Sequence, residues 1–295
     1  MLPYQLFIKF LYLTCFWLGA FSAGAADIVN IVKGQSAFDT RNKYTDAVLR
    51  STLEQSTDKY GPYVLNYVKE VIPTPRISQF LADDHLLNVA IALTNKEWER
   101  DLITIRIPIR KGLLNYRLLL INRKNSDKFK NIKTVEDLKK LSVGLRKTWV
   151  THGVMSDLGF SIVDAFAYDA IFSMLQKQRF DYIPRGIYEI YDELEARKEL
   201  TDLMIEPNLA LHIPAPIYMF VSPAHPRIAK RLEYGLNKMV VTGRLNQIFD
   251  DFYGDLIKRA QLHKRLILEV GNQQLPEKTP IHDKSLWIDI LNQQK

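Results

Sequence analysis

The sequence predicts an α/β protein made of two sheet-and-helix units. Three observations lead there. Strand and helix patterns alternate as βαβαβ over residues 27–93. The alternation resumes near residue 134, after a polar connection. A pair of amphipathic helices then closes the pattern between residues 227 and 252.

Residues 27–33 open as a strand, and a helix follows from Tyr44 onward, with Val48, Leu49 and Leu53 apolar. Residues 63–71 read as a strand, 76–82 as a short helix carrying Ile77, Phe80 and Leu81, and 86–93 as a buried strand. The segment 103–108 precedes a strongly apolar strand at 113–121, and the polar run 122–133 connects it onward. Thr134 begins a capped helical turn before a strand at 141–145. An apolar run at 160–166 and an amphipathic stretch lead to Arg179–Gly186. Beyond it Ile187, Ile190, Tyr191 and Leu194 recur at i, i+3, i+4, i+7, one face of a helix. Residues 215–221 form a strand, 227–241 a helix that Gly243 ends, and Leu245, Ile248, Phe249 and Phe252 mark one more helix. The tail from Gln273, with Pro276 and Pro280, is expected to lie extended on the surface with Trp287 as an anchor.

Residues 1–26 read as a cleaved secretory leader. Lys9 precedes an apolar run at 10–21, and Ala23, Gly24, Ala25 and Ala26 supply a small-residue cleavage site. The run is shorter than the roughly 20 residues of a membrane span, so an uncleaved anchor is the lesser alternative. The expected location is therefore the periplasm. The single cysteine, Cys15, lies inside the leader, which excludes disulfides and thiol chemistry from the mature chain. The net charge of +7 comes from 40 basic residues interleaved with 33 acidic ones. That distribution argues against a nucleic-acid partner and suits an anionic ligand or envelope surface.

Catalytic motifs are missing from the sequence. The 6 histidines (His85, His152, His212, His225, His263 and His282) are scattered, with no H-E-x-x-H, no glycine-rich phosphate loop and no G-x-S-x-G elbow. No metal, no cofactor and no enzyme activity are expected. Arg185, beside Gly186 at a helix entrance, is placed either to meet a ligand or to be solvated at a turn.

Several segments carry a family resemblance. Trp98-Glu99-Arg100, followed by residues 105–108 and by Gly112, Leu113 and Leu114, is similar to a series in type II periplasmic solute-binding proteins. The group concerned is the amino-acid-binding (family 3) proteins of ABC transporters. Residues 134–144, Arg179 to Asp181, 235–243 and 249–254 resemble further stretches of that family, in the same order. Pro184-Arg185-Gly186, Trp149 and the Pro/Trp tail resemble a separate branch of it.

The resemblance implies a two-lobed periplasmic-binding-protein-like type II fold with a hinge and an interlobe cleft. Lobe I would comprise 27–117 and 217–262, lobe II 118–216, and 263–295 would be a C-terminal extension. It further implies a monomer that captures a small polar or anionic ligand and meets an ABC permease or a membrane sensor. Arg100 matches the arginine that clamps an α-carboxylate, Trp98 stands beside it, and Arg106 and Arg110 are rival clamps. Arg146 and Trp149 fall where the family offers helix N-terminal amides. Arg185 falls where it keeps an aspartate for the ligand's ammonium. That exchange disfavours an ordinary α-amino acid and favours a more anionic ligand, with an aromatic or sugar face against Trp149. Asp39, Arg41 and Tyr44 follow the first strand and are placed to line the cleft, although Asp39 is equally a helix cap and Arg41 a solvated residue. Two alternatives stand beside this reading. One is a dehydratase or lyase on the same fold, using Glu99 or Glu189. The other is a ligand-free envelope interaction module.

Overall fold

The structure is a computed structural model that describes residues 25–32, 40–68, 72 and 76–289. The expected leader lies outside the described residues except for Ala25 and Ala26, and so does Asp39.

The chain opens with β1 (Asp27–Val32), α1 (Thr40–Gln55), the single turn α2 (Thr57–Tyr60) and β2 (Tyr63–Val68), which pairs in parallel with β1. Next come α3 (Ile77–Ala82), β3 (Val89–Leu93), α4 (Lys96–Asp101) and β4 (Ile103–Ile105). The second unit starts with β5 (Tyr116–Asn122), α5 (Val135–Lys139), β6 (Val143–Leu145) and α6 (Val150–Asp157). It continues through β7 (Ile162–Asp164), α7 (Tyr168–Gln176), β8 (Tyr182–Gly186), α8 (Ile187–Glu195) and β9 (Leu203–His212). The chain closes with β10 (Ile217–Val221), α9 (Pro226–Val241), α10 (Arg244–Ala260) and β11 (Leu266–Glu269).

The strands form three sheets. β1 and β2 make a pair, β10 inserts antiparallel between β3 and β4, and the largest sheet has the order β11-β9-β5-β8-β6-β7. β5 is the spine of that sheet because both of its faces are apolar. Leu118 and Leu120 face a core shared with α7 and α8, whereas Leu119 and Ile121 face a second core with Leu145, Met155 and Tyr182. The first core does not stop at the sheet. It continues through α10 to Val29, Leu49 and Leu232, so one apolar body joins both units.

Two arrangements explain how the first unit holds together. α1 buries Tyr44, Val48, Leu49 and Leu53 on the stripe that its periodicity predicts. α9 lies so close to it that a Cβ on Gly235 would sit 2.1 Å from the Thr52 carbonyl oxygen. Gly235→Ala is therefore expected to lower stability by about 1–3 kcal/mol through overpacking. Urea unfolding checks this, and an unchanged midpoint would show that the helices can part without strain. The second arrangement is Arg231, whose side chain is 0% exposed. It donates to Ser56 Oγ (2.9 Å), Asp27 Oδ2 (2.9 Å) and the carbonyls of Gly61 and Pro62 (2.6 and 2.9 Å).

The structure differs from the sequence reading in three places. The strand expected at 113–121 begins only at Tyr116, because Gly112, at φ +71°, turns Leu113–Asn115 into a 3-10 turn. β9 contains Pro207, which a regular strand excludes. The register shifts there, and Glu206 accepts the amides of Asn208 and Leu209 to close the bulge. The C-terminal extension, described to residue 289, holds more than the extended surface tail expected from Gln273. β11 adds an edge strand beside β9, Asn272 donates to the Pro214 carbonyl (2.7 Å), and Trp287 packs on Gly112. Ile288 is buried, and its amide donates to the Lys111 carbonyl (2.8 Å).

Candidate ligand site at the junction of the sheets

β6, β7 and β8 run in one direction, so their C-terminal ends share an edge of the large sheet. Ligands of open α/β sheets sit outside such ends. Arg146 to Trp149 lead from β6 into α6, Ala165 to Ala167 from β7 into α7, and Gly186 from β8 directly into α8. Phe166, in the second of these links, is almost wholly exposed. β5 is antiparallel to β8, so the chain enters the sheet at this same edge, with Arg117 opposite Gly186.

Arg185 is the centre of the site. Its Nε donates to Glu193 Oε2 (2.7 Å), its Nη2 donates to the other oxygen of Glu193, and Nη2 lies 3.1 Å from Glu189 Oε2. The guanidinium carbon stands 4.4 Å from the centre of the Trp149 ring, a cation–π contact. Tyr168 donates to Glu193 as well. Burial opposes the charge on Arg185, but Glu189 and Glu193 outweigh it and raise its pKa above the usual guanidinium value. Burial, with Glu193 beside it, likewise pushes the Tyr168 hydroxyl up.

A second guanidinium ties the units together. Arg110 lies between the rings of Tyr44 (5.9 Å) and Tyr188 (5.1 Å), and donates to Thr45 Oγ1 (3.1 Å) and the Tyr188 hydroxyl (3.2 Å). In the smaller sheet region, Glu99 accepts from Thr94 Oγ1 (2.6 Å) and from Arg106 Nε (2.8 Å). Among the described residues no group of three or more His, Cys, Asp or Glu side chains could hold a metal ion.

No family model matches the sequence, and no curated protein matches it significantly. Solved structures do match. A histidine kinase sensor domain with similarity to periplasmic binding proteins superposes with a TM-score of 0.53 at 14% identity, over 79% of this chain and 97% of that one. The fold is that of the two-lobed periplasmic binding proteins. An ancestral arginine-binding protein bound to arginine gives a TM-score of 0.51 at 14% identity, over 78% of this chain and 99% of that one. The GluR0 ligand-binding core from Nostoc punctiforme, in complex with L-glutamate, gives 0.51 at 13% identity, over 77% and 99%. At such identities the likeness concerns the fold alone.

Within this binding-protein fold the residues singled out from sequence separate into three groups. Asp39 lies outside the described residues, and Arg41 is placed only as part of α1. Tyr44, Trp98, Arg100, Arg106, Arg110 and Arg185 are each engaged with the protein itself. Tyr44 is fully buried, donates to the Ile109 carbonyl and meets Phe249, Phe252 and Tyr253, so its place is in the core rather than on a cleft wall. Trp98 packs edge-on against Phe220 (4.9 Å). The Arg100 side chain is 70% exposed and pairs with Asp101 (2.7 Å).

Arg106 is held by Glu99, Arg110 by Thr45 and Tyr188, and Arg185 by Glu189 and Glu193. The repulsion toward a ligand ammonium argued from Arg185 therefore lapses, because two carboxylates offset its charge. The third group is Arg146 and Trp149. Arg146 is half-buried just after β6, and its Nε has no hydrogen-bond partner among the described residues.

Sequence reasoning missed Glu193, Tyr168 and Arg117. Glu189 and Glu193 lie four and eight residues after Arg185, a helical spacing that puts both acids on one side of α8. That signal was present, and the apolar stripe of the same helix masked it. The two acids considered for an enzyme, Glu99 and Glu189, are both held by guanidinium groups.

Proposed function

We propose that the protein is an extracytoplasmic binding protein that captures a small, carboxylate-bearing, amino-acid-like solute at the junction of its two lobes. Lobe I would comprise 27–117 with 217–262, and lobe II 118–216. The solute would be passed to a membrane permease or reported to a sensor, without chemical change. The fold supports this reading. So does the gathering of Arg146, Trp149 and the Arg185 cluster where the β6 and β8 ends meet their helices. Arg146, which pairs with no carboxylate among the described residues and whose Nε has no hydrogen-bond partner there, is the observation that carries the ligand class.

A thermal-shift screen of the protein against amino acids, di-acids, sugar acids and muropeptides tests it. A ligand at 100 times its Kd should add about 2.7 kcal/mol of stability. We expect a saturable hit in the wild type that is lost in Arg146→Gln. Conversion of the hit to a product would establish the enzyme alternative instead. A folded protein with no hit across the panel would favour the envelope interaction module. One observation favours that module reading: Tyr188 of the proposed lobe II meets Arg110 (5.1 Å) and the Tyr253 ring (5.9 Å) of the proposed lobe I.

A further inference from the structure

We propose that Arg117 is the anion receptor of the junction and takes a singly charged carboxylate of the captured solute. This deepens the binding reading above and rests on it. Arg117 is the second residue of β5, opposite Gly186 in β8 and Leu211 in β9, at the edge where the parallel strands end. It is 5% exposed, yet it makes no hydrogen bond or ion pair among the described residues, and its Nε is buried without a partner.

The comparison with the other buried arginines is decisive. Arg231 has four acceptors, Arg185 two carboxylates, and Arg110 the Thr45 and Tyr188 oxygens. Arg117 alone among them is left to an outside partner. A guanidinium does not shed its proton to escape burial, so an unpaired one is a standing cost to the fold that a bound anion would relieve. Burial lowers its pKa, with Glu189 nearby acting in the opposite sense.

The neighbourhood also selects the anion. Opposite Arg117 stands Gly186, where a Cβ would meet Leu114 and the Glu189 carboxylate at 3.0 and 3.1 Å, and that carboxylate is turned to the Gly186 amide (3.1 Å) and to Arg185. The planar fork of a guanidinium matches a carboxylate in bidentate fashion. Glu189 and Glu193 repel a second negative charge, which disfavours phosphate and sulfate.

Thermal unfolding of the whole protein tests this directly, at fixed ionic strength, with formate and acetate as probes and sulfate as the dianionic comparison. The wild type is expected to show a saturable rise in Tm with the carboxylates and a weaker one with sulfate. Arg117→Met is expected to match or exceed the wild-type Tm without additive, since it removes an unpaired buried charge, and to show no carboxylate response. Arg117→Lys keeps the charge without the fork and should weaken the apparent carboxylate affinity at least tenfold.

A Met variant that unfolds below the wild type without additive, or fails to fold, makes Arg117 structural and overturns the proposal. So does a carboxylate response that is absent from the wild type, or unchanged in the Lys variant. The two readings fail separately. A solute hit that survives in Arg117→Met sinks this inference alone, whereas a formate response without any solute hit leaves the receptor standing and removes the proposed function.

Discussion

Replacing Arg231 with Met is expected to lower folding stability by about 3–5 kcal/mol, the usual consequence of removing one partner from a buried ion pair. The side chain is wholly inside the protein, and its loss strips Asp27 Oδ2, Ser56 Oγ and the Gly61 carbonyl of this donor at once and leaves the Pro62 carbonyl with the Asp27 amide. Asp27 would keep only Arg227, which reaches it from a largely exposed position at 2.9 Å. The effect should be registered at the start of β1, because Asp27 is its first residue and Pro62 adjoins β2. Urea denaturation would show it as a lower midpoint at unchanged slope. A loss below about 1 kcal/mol would mean that water replaces the guanidinium freely.

Replacing Arg185 with Met is expected to have a comparable effect, about 3–5 kcal/mol, in the protein without ligand. Glu189 and Glu193 would be left beside each other and Tyr168 in a buried place, with no other cation among the described residues within ion-pair distance of Glu193. Arg185→Met combined with Glu193→Gln should recover part of the loss, since the second change removes the stranded charge. This separates two roles for Arg185. Unchanged stability of the single variant, with solute binding abolished, would restore the arginine to direct ligand contact. A destabilised variant that still binds solute would confine it to holding Trp149, α8 and the strand end in place.

The parts of the fold that were legible in the sequence are those written in local periodicity. The stripe Ile187, Ile190, Tyr191 and Leu194 gives α8, and the apolar run of β5 gives the central strand because both its faces are covered. What stayed hidden depends on partners far away along the chain. β9 is broken in sequence by Pro207 and Asn208, and only its neighbours β5 and β11 make a bulged strand of it. β10 lies between β3 and β4 although more than a hundred residues separate it from them.

The site follows the same division. Its arginines could be picked out as unusual at their positions, but whether each was already partnered could not. Arg185 looked available because Glu193 is brought to it only when α8 folds back on β8. Arg117 drew no notice within an apolar strand, and its isolation is a property of the packed structure.

The tail bears on the opening that the proposed binding function requires. Residues 111–116 enter β5, 212–217 leave β9, and 269–288 run on from β11. Tyr116 faces His212, Glu269 faces His212 from the other side, and the Ile288 amide returns to Lys111. Neighbouring strands are spaced about 4.8 Å apart, so three passes hold the junction across roughly 10 Å where two would hold half of that. A door hung on two close pins can swing and can also rack; a third pin in line leaves the swing and suppresses the racking. In the proposed function the tail would play that part, holding the opening of the two proposed lobes to one stroke with their faces in register.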